Sequence, residues 1–408
     1  MAINLKHQLV PTIPDLTPPR PDIFRLSAAN DETRLHNLIE LHHPRIIDTY
    51  VSQLKEYFVL QHPALHLDPP ERDRQFADFQ RAHVGAGEPY QAGVWVYLPW
   101  RNTLLHLLDD DAYQEVRTGR NRNLIPAEEQ RAYYHSTIAI GGLSVGNSIA
   151  LSIVLTGGGK HLRLADPDTL ELTNLNRIRA SVTDLAEPKV FLTARQIYEL
   201  DPYADLTLYP QGITVENIEE FCTGAVVIID EIDNLAIKIH LRQQAKKQRT
   251  PVVMATDNGD SGLLDIERHD LQPDISLFHG RAGDDIAEQV FGKKLPLPVI
   301  GQIIGKQLVG YDLIEPRMQR SLLEIGRTIP TWPQLGGAAL LNGVAVAAAV
   351  RKIITKQPVI DNRAVLSLSS WLIPEYDQPV QISLRKKDTA KFTRTYEANI
   401  QGYLSASK

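Results

Sequence analysis

The stretch STIAIGGLSVGNSIALSIVLTGGGKHLRLADPDTLELTNLNRIRASVTDLAEPKV, residues 136–190, decides the fold. An apolar run, TIAIG, passes through the glycine turn GGLSVG into an apolar helical pattern; this stops at Gly157, Gly158 and Gly159, and a second run, HLRLAD, follows. Strand, glycine turn, helix, strand is the rhythm of a right-handed βαβ unit. LTLYP, AVVIID and PVVMAT continue it as strands, with helices expected over 147–155, 189–199, 214–221 and 234–247. The fold class that follows is α/β, a doubly wound, mainly parallel Rossmann-like sheet with helices on both faces.

Outward from this core, residues 1–28 hold Pro11, Pro14, Pro18, Pro19 and Pro21, which remove amide donors and predict an extended arm. Between 31 and 60, Ile46, Ile47, Tyr50, Leu54 and Tyr57 recur at helical spacing and predict two helices broken at Pro44. VWVYLPW (94–100) reads as a strand and NTLLHLLDDDAYQEV after it as a helix, giving a small α+β amino-terminal domain over 29–118. The nucleotide-binding domain is expected over 119–360. From 262 to about 329 the pattern is mixed, beginning with LLDIERHD as a strand and running through proline- and glycine-containing sequence. GGAALLNGVAVAAAV (336–350) is short of a membrane span and rich in Ala and Gly, so it is expected as a buried helix that lets another backbone approach closely. A carboxyl-terminal β extension is expected over 361–408, with AVLSLSSWLI and PVQISLRKK as an edge hairpin.

Composition narrows the partners. Hydrophobic residues at 43% and charged residues at 23% describe a folded chain. The net charge of −6, with no long Lys and Arg run, argues against duplex nucleic acid, whose binding rests on phosphate neutralisation, and gives no support to a membrane surface. A single cysteine, Cys222, excludes an intrachain disulfide and any multi-cysteine metal site. It fits a reducing compartment, and the amino terminus lacks the apolar core of an export signal, so a cytoplasmic location is expected. His36, His42 and His43 have no carboxylate or thiol pattern to complete a metal site.

The chemistry concentrates at the glycine turn. Gly141, Gly142, Ser144 and Gly146 open a helix whose first amide groups can hold an anion. Leu143 stands where a G-x-G-x-x-G loop has its middle glycine, so the close backbone approach must be altered. Asp166, twenty residues after Gly146, ends the second strand where an acid accepts ribose hydroxyls, in NAD and ATP sites alike. The GGGK run at 157–160 lacks the spacing of a phosphate loop and reads as a helix stop.

The continuation LADPDTLELTNLNRIRASVTDLAEPKV resembles the ThiF, MoeB and ubiquitin-activating enzyme family, whose acid, Asn-Leu-x-Arg element and Pro-Lys element recur here in order. The resemblance implies ATP and Mg2+ as cofactors. It implies that Asp166 binds the ribose, that Asn174 and Arg177 contact phosphate oxygens, and that Lys189 holds the phosphate at which displacement occurs. Arg offers a fork for two oxygens and Lys a mobile point charge, which suits those roles. IIDEIDN matches the family's Asp-Asn pair with Asp233 and Asn234, making Asp233 the magnesium ligand and ranking Asp230 below it as a turn acid. RTGRNRNLIPAEEQ resembles the segment from which an arginine reaches across a homodimer, and Arg122, then Arg120, is expected in that role. The same small-residue helix, 336–353, is expected at the dimer interface.

The family's zinc-binding Cys pairs are absent, and residues 269–281, where a sulfur-transfer cysteine would be sought, contain none. Cys222, in the helix end EEFCTG before a core strand, is expected as a buried small hydrophobe. The implied function is an ATP-dependent adenylyltransferase that activates a carboxylate as an acyl-adenylate, releasing pyrophosphate, without a cysteine thioester. The carboxylate is that of a ubiquitin-like protein, a peptide or a small acid. A nucleotide-binding scaffold or pseudoenzyme partner is the alternative, motivated by Leu143 and the missing cysteine. An NAD-dependent oxidoreductase would leave TNLNR, Pro-Lys and DEIDN without a task.

Overall fold

The computed structural model describes residue 9 and residues 16–28, 30–283, 285–293 and 295–406. Pro11 and Pro14 of the expected arm lie outside the described residues. The amino-terminal part contains β1 (Asp22–Phe24), α1 (Asp31–His42), β2 (Arg45–Asp48), α2 (Tyr50–Gln61), α3 (Pro69–Val84), β3 (Val94–Leu98), β4 (Thr103–Leu107) and α4 (Asp110–Arg117). Its strands form one sheet in the order β1-β3-β4-β2. The expected arm is thus partly a strand, with Asp22, Ile23 and Phe24 paired antiparallel to Tyr97, Val96 and Trp95.

Two expected helices in this part are corrected. Pro44 does not simply break a helix: His43 turns into the left-handed region (φ 44°), and RIID then pairs in parallel with Thr103–His106. Ile46 and Ile47 are β-branched and fit a strand better than the helical spacing allowed. TLLHL is likewise a strand, because Asn102 at φ 42° reverses the chain and lays it antiparallel on VWVYL. The helix begins only at Asp110.

The second part contains α5 (Ala127–His135), β5 (Thr137–Gly141), α6 (Val145–Leu155), β6 (His161–Ala165), α7 (Lys189–Leu200), β7 (Asp205–Tyr209), α8 (Ile218–Cys222), β8 (Val227–Asp230), α9 (Leu235–Gln248), β9 (Val252–Asn258) and β10 (Ser261–Glu267). α8 starts four residues later than expected because the Asn217 carboxamide accepts the Thr214 amide at 2.8 Å, closing a turn first. The remainder contains α10 (Ile286–Val290), α11 (Leu297–Gln302), a π-helical turn (Ile303–Val309), α12 (Pro316–Leu322), α13 (Gly336–Ile354), β11 (Arg363–Leu366), α14 (Leu368–Leu372) and α15 (Pro379–Ala406).

The large sheet runs β11-β10-β9-β8-β5-β6-β7. β9, β8, β5, β6 and β7 are parallel, while β10 and β11 add antiparallel. Alternation along β5 divides the core. Ile138 and Ile140 join Ile149, Val190 and Val346 on the face of α6, α7 and α13, whereas Ala139 meets Phe221, Cys222 and Leu241 on the face of α8 and α9. The order reverses at β5, between β6 and β8, and such a switch point opens a crevice at the carboxyl ends of the strands.

The expected carboxyl-terminal hairpin is not formed. Only β11 pairs at the sheet edge, and PVQISLRKK lies inside the 28-residue helix α15. The alternation of Val380, Ile382 and Leu384 suggested a strand, but all three are exposed, and the anchoring residues are Phe392 and Ile400, spaced for a helix. α13 is long and apolar enough to cross a membrane. It packs instead on α6, where a Cβ on Gly343 would come within 2.9 Å of the Ser148 backbone. The small residues expected at a dimer interface are therefore used inside the chain, and the helix turns Leu340 and Val344 outward.

Candidate nucleotide crevice

The ends of β5, β6 and β8 are level, since Gly141 pairs with both Ala165 and Asp230. Beyond them the glycine turn is forced into a shape only glycine allows: Gly142 has φ +84°, and a Cβ there would lie 2.2 Å from the Glu231 carbonyl oxygen. Leu143 is wholly buried in the core with Ile140 and Ile149. The leucine therefore does not cover the loop, and its altered approach takes another form: its amide donates to Asp166 Oδ2 at 2.6 Å. Ser144 precedes the first turn of α6, which contains Gly146.

Asp166 is 5% exposed, and its second oxygen accepts the Asp168 amide at 2.8 Å. Burial pushes its carboxyl up, against the pull of Lys189 and the two amides. The 3-10 turn after β6 places Asn174, whose Oδ1 accepts the Glu171 amide at 3.0 Å, and then Arg177. Arg177 Nε donates to Ser144 Oγ at 2.9 Å, so the turn is tied directly to the glycine loop. Burial holds Arg177 below the usual arginine range, while Asp257, Asp233 and Glu171 favour its charge. Lys189, the first residue of α7, is buried and donates to Asp168 Oδ2 at 2.8 Å. An arriving anion would take over a cation already poised in a pair.

Asp233 and Asn234 stand exposed between β8 and α9, and Asn234 Oδ1 accepts the Ile237 amide at 3.2 Å as the helix cap. Among the described residues no group of three or more His, Cys, Asp or Glu is arranged to hold a metal. A protein-only metal cage is therefore lacking, whereas one exposed carboxylate suits a magnesium ion carried largely by phosphate oxygens and water. Asp230 is engaged elsewhere: it is fully buried, 3.0 Å from Lys238 Nζ and paired with Arg242, which also reaches Glu267 at 2.7 Å. Burial would raise its pKa, but these two cations outweigh burial and hold it below the usual range.

Two expected site residues are not gathered here. Arg122 donates to the Leu60 carbonyl at 2.7 Å and pairs with Glu115, both in the amino-terminal part. Arg120 is exposed in the same turn. Cys222 is wholly buried, and burial pushes its thiol up to about 12.

Sequence reasoning missed Asp257 and Glu231. Asp257, at the end of β9, is 3% exposed and accepts Asn342 Nδ2 at 2.7 Å and Gln334 Nε2 at 3.2 Å. Burial raises its carboxyl. Glu231 accepts the Ala255 amide at 2.8 Å, and burial holds its carboxyl well above the ordinary value. The signal for Asp257 was present, since an acid directly follows PVVMAT at the carboxyl end of a parallel strand.

A profile described as the ThiF family matches residues 118–264. An uncharacterized protein of Mycobacterium tuberculosis (strain CDC 1551 / Oshkosh) is 39% identical over 291 residues, 71% of this chain and 40% of that protein. The tRNA threonylcarbamoyladenosine dehydratase of Bacillus subtilis (strain 168) is 28% identical over 162 residues, 39% of this chain and 63% of that one. The sulfur carrier protein ThiS adenylyltransferase of Escherichia coli (strain K12) is 32% identical over 128 residues, 31% of this chain and 50% of that one. The chain thus spans from 40% to 63% of the length of these relatives.

Proposed function

We propose, from the premise that residues 118–264 are a ThiF-family domain, that this chain binds ATP in the crevice and uses it to adenylate a carboxylate. The observation that carries the reading is the linked set at the strand ends: the Leu143 amide on Asp166, Arg177 on Ser144, and Lys189, paired with Asp168, whose charge acts on Asp166. Asp166 takes the ribose hydroxyls, the glycine loop and the amino end of α6 take phosphate oxygens, and Asn174, Arg177 and Lys189 close around them. Magnesium would be held by Asp233 and would neutralise charge on the departing phosphates.

The nucleophile is a carboxylate, already ionised, so no general base is needed. One of its oxygens forms a bond to the α-phosphorus, the bond from that phosphorus to the β-bridging oxygen breaks, and pyrophosphate leaves with the electron pair. Lys189 and Arg177 stabilise the charge that grows on the phosphoryl oxygens, so catalysis is mainly positioning and electrostatics. A thioester does not follow on this chain, because its single thiol is buried with a raised pKa. One relative is named for adenylyl transfer to a sulfur carrier protein, which supports a protein or peptide carboxyl terminus as one substrate class beside small acids.

A cytoplasmic homodimer completes the reading. Leu340 and Val344 give α13 an outward apolar strip for a second copy, 49% and 62% exposed. Equilibrium binding of ATP against NAD tests the nucleotide choice, and labelled ATP added to cell lysate captures the adenylated acid for identification by mass. ATP binding with a labelled acyl-adenylate is expected. Preference for NAD, or no binding of either, would contradict it.

A further inference from the structure

The carboxyl ends of the parallel strands form a row in the order Asp166 after β6, the glycine loop after β5, Asp233 after β8 and Asp257 on β9. At the usual strand spacing, three steps separate Asp166 from Asp257, about 14 Å. With the ribose at Asp166 and phosphates over the glycine loop, the acid to be activated has the β9 side available to it. Asp257 is at that side. Its burial is no bar, since Asp166, Asn174 and Lys189 are buried to a similar degree.

The side-chain donors on Asp257 are neutral. Its oxygens meet two neutral carboxamides, Asn342 and Gln334. Asn342 is wholly buried, and its own Oδ1 has no hydrogen-bond partner among the described residues. That oxygen sits over Gly262, where a Cβ would come within 1.8 Å, so the strand residue opposite Asp257 makes room for it. The chain positions this set firmly: Asn176 Nδ2 donates to the Gln334 carbonyl at 2.9 Å, and Gly336 at the start of α13 lies against the Asn176 carbonyl. The cation whose field reaches Asp257 is Arg177. In the adenylation reading, on which this inference rests, Arg177 is committed to phosphate oxygens. Burial then favours the neutral acid at Asp257, and a cation with several N–H groups would stabilise its ionised form while supplying a donor to the neighbouring Asn342 oxygen.

We propose that Asp257, with Asn342 Oδ1, is a specificity-determining pair that receives an ammonium group close to the carboxylate being activated, as in a free α-amino acid. Binding of the ammonium at β9 turns the carboxylate of the same molecule back toward the α-phosphate. An acid whose nitrogen is acylated, or a peptide ending in glycine, offers no such cation.

ATP–pyrophosphate exchange on the full chain tests this with two panels, the free amino acids and their N-acetyl derivatives together with a peptide ending in Gly-Gly. Exchange is expected with one or more free amino acids and not with the second panel. In Asp257→Asn, which keeps the shape, the KM for the responsive amino acid should rise about ten- to a hundredfold, the loss of a charged hydrogen bond. The KM for ATP should change less than the amino-acid KM, since Asp257 acts on the phosphate site only through the field it shares with Arg177. Exchange driven as well by the second panel would overturn the assignment while leaving adenylation intact, as would an unchanged amino-acid KM in Asp257→Asn. Failure of the wild-type chain to bind ATP, measured separately, would remove the adenylation reading and this inference with it.

Discussion

Arg177 Nε donates to Ser144 Oγ at 2.9 Å, joining the turn after β6 to the loop after β5 across the switch point of the sheet. The same guanidinium holds the Thr173 carbonyl at 3.1 Å and Asn176 Oδ1 at 3.0 Å through its Nη1. Its position is thus set before any ligand arrives. Arg177→Lys keeps the charge and loses the fork, so pyrophosphate exchange should fall by about ten- to a hundredfold with little change in thermal stability. A variant exchanging at the wild-type rate would remove Arg177 from the phosphate site.

Cys222 is expected to be inert. With the thiol buried beside Phe221 and Ala225 and its pKa pushed up to about 12, a thiol reagent should label the native chain far more slowly than the unfolded one. Cys222→Ser should leave ATP binding unchanged and cost about 1–3 kcal/mol of stability in denaturant, for a hydroxyl buried without a partner. Recovery of a Cys222-linked thioester would contradict the packing role.

His269 gives the chain a pH dependence of defined sign. It is wholly buried, neither ring nitrogen has a partner among the described residues, and burial, reinforced by Arg242 and Lys246, lowers its pKa from 6.5 to about 4. The unfolded chain therefore takes up this proton first as pH falls. The stability it contributes is complete above about pH 6.5 and is lost progressively toward pH 4, on the order of 3 kcal/mol or less. Denaturant melts of wild type and His269→Phe at pH 7 and pH 4.5 should differ in slope, with the variant less sensitive to acid. Equal sensitivity would mean that another group carries the acid lability.

The outward strip of α13 predicts the assembly. Leu340→Glu with Val344→Glu should shift a dimer toward monomer in sedimentation without unfolding the chain, because neither side chain is buried. A dimer that persists in this variant would place the interface elsewhere. Arg122 is tied to Leu60 and Glu115 of its own chain, so a role across the interface would require it to leave both.

What was legible in the sequence follows from the strength of the local pattern. TIAIG, AVVIID and PVVMAT became β5, β8 and β9 because buried parallel strands are continuous apolar runs bounded by turns, and HLRLAD and LTLYP became β6 and β7 because they alternate toward the sheet edge. The glycine turn and Asp166 were legible by spacing, and their direct hydrogen bond joins the two. Short amphipathic segments were not. RIID and TLLHL read as helix because their period is ambiguous over four or five residues, and only the pairing of TLLHL with VWVYL and of RIID with TLLHL settles them. PVQISLRKK failed in the opposite sense, its alternation lying on the exposed start of α15. The small residues of α13 were legible as a site of close approach, but not the partner, which is α6 of the same chain. Asp257 escaped because its meaning depends on Asn342 and Gln334, which lie far along the chain.

In adenylation of a carboxylate with ATP, as proposed for this crevice, Asp233 and Asp166 divide the two demands of metal and nucleotide binding. Asp233 is exposed after β8 and available to a metal on the phosphates, whereas Asp166 is buried against the glycine loop. Pyrophosphate exchange measured for Asp233→Asn and Asp166→Asn over a range of ATP and magnesium separates them. Asp233→Asn should lose about a hundredfold or more in turnover at saturating ATP, since an anionic metal ligand is removed as charge develops on the leaving group. Asp166→Asn should mainly raise the KM for ATP and keep much of its turnover. Wild-type turnover in Asp233→Asn, at every magnesium concentration, would contradict the account.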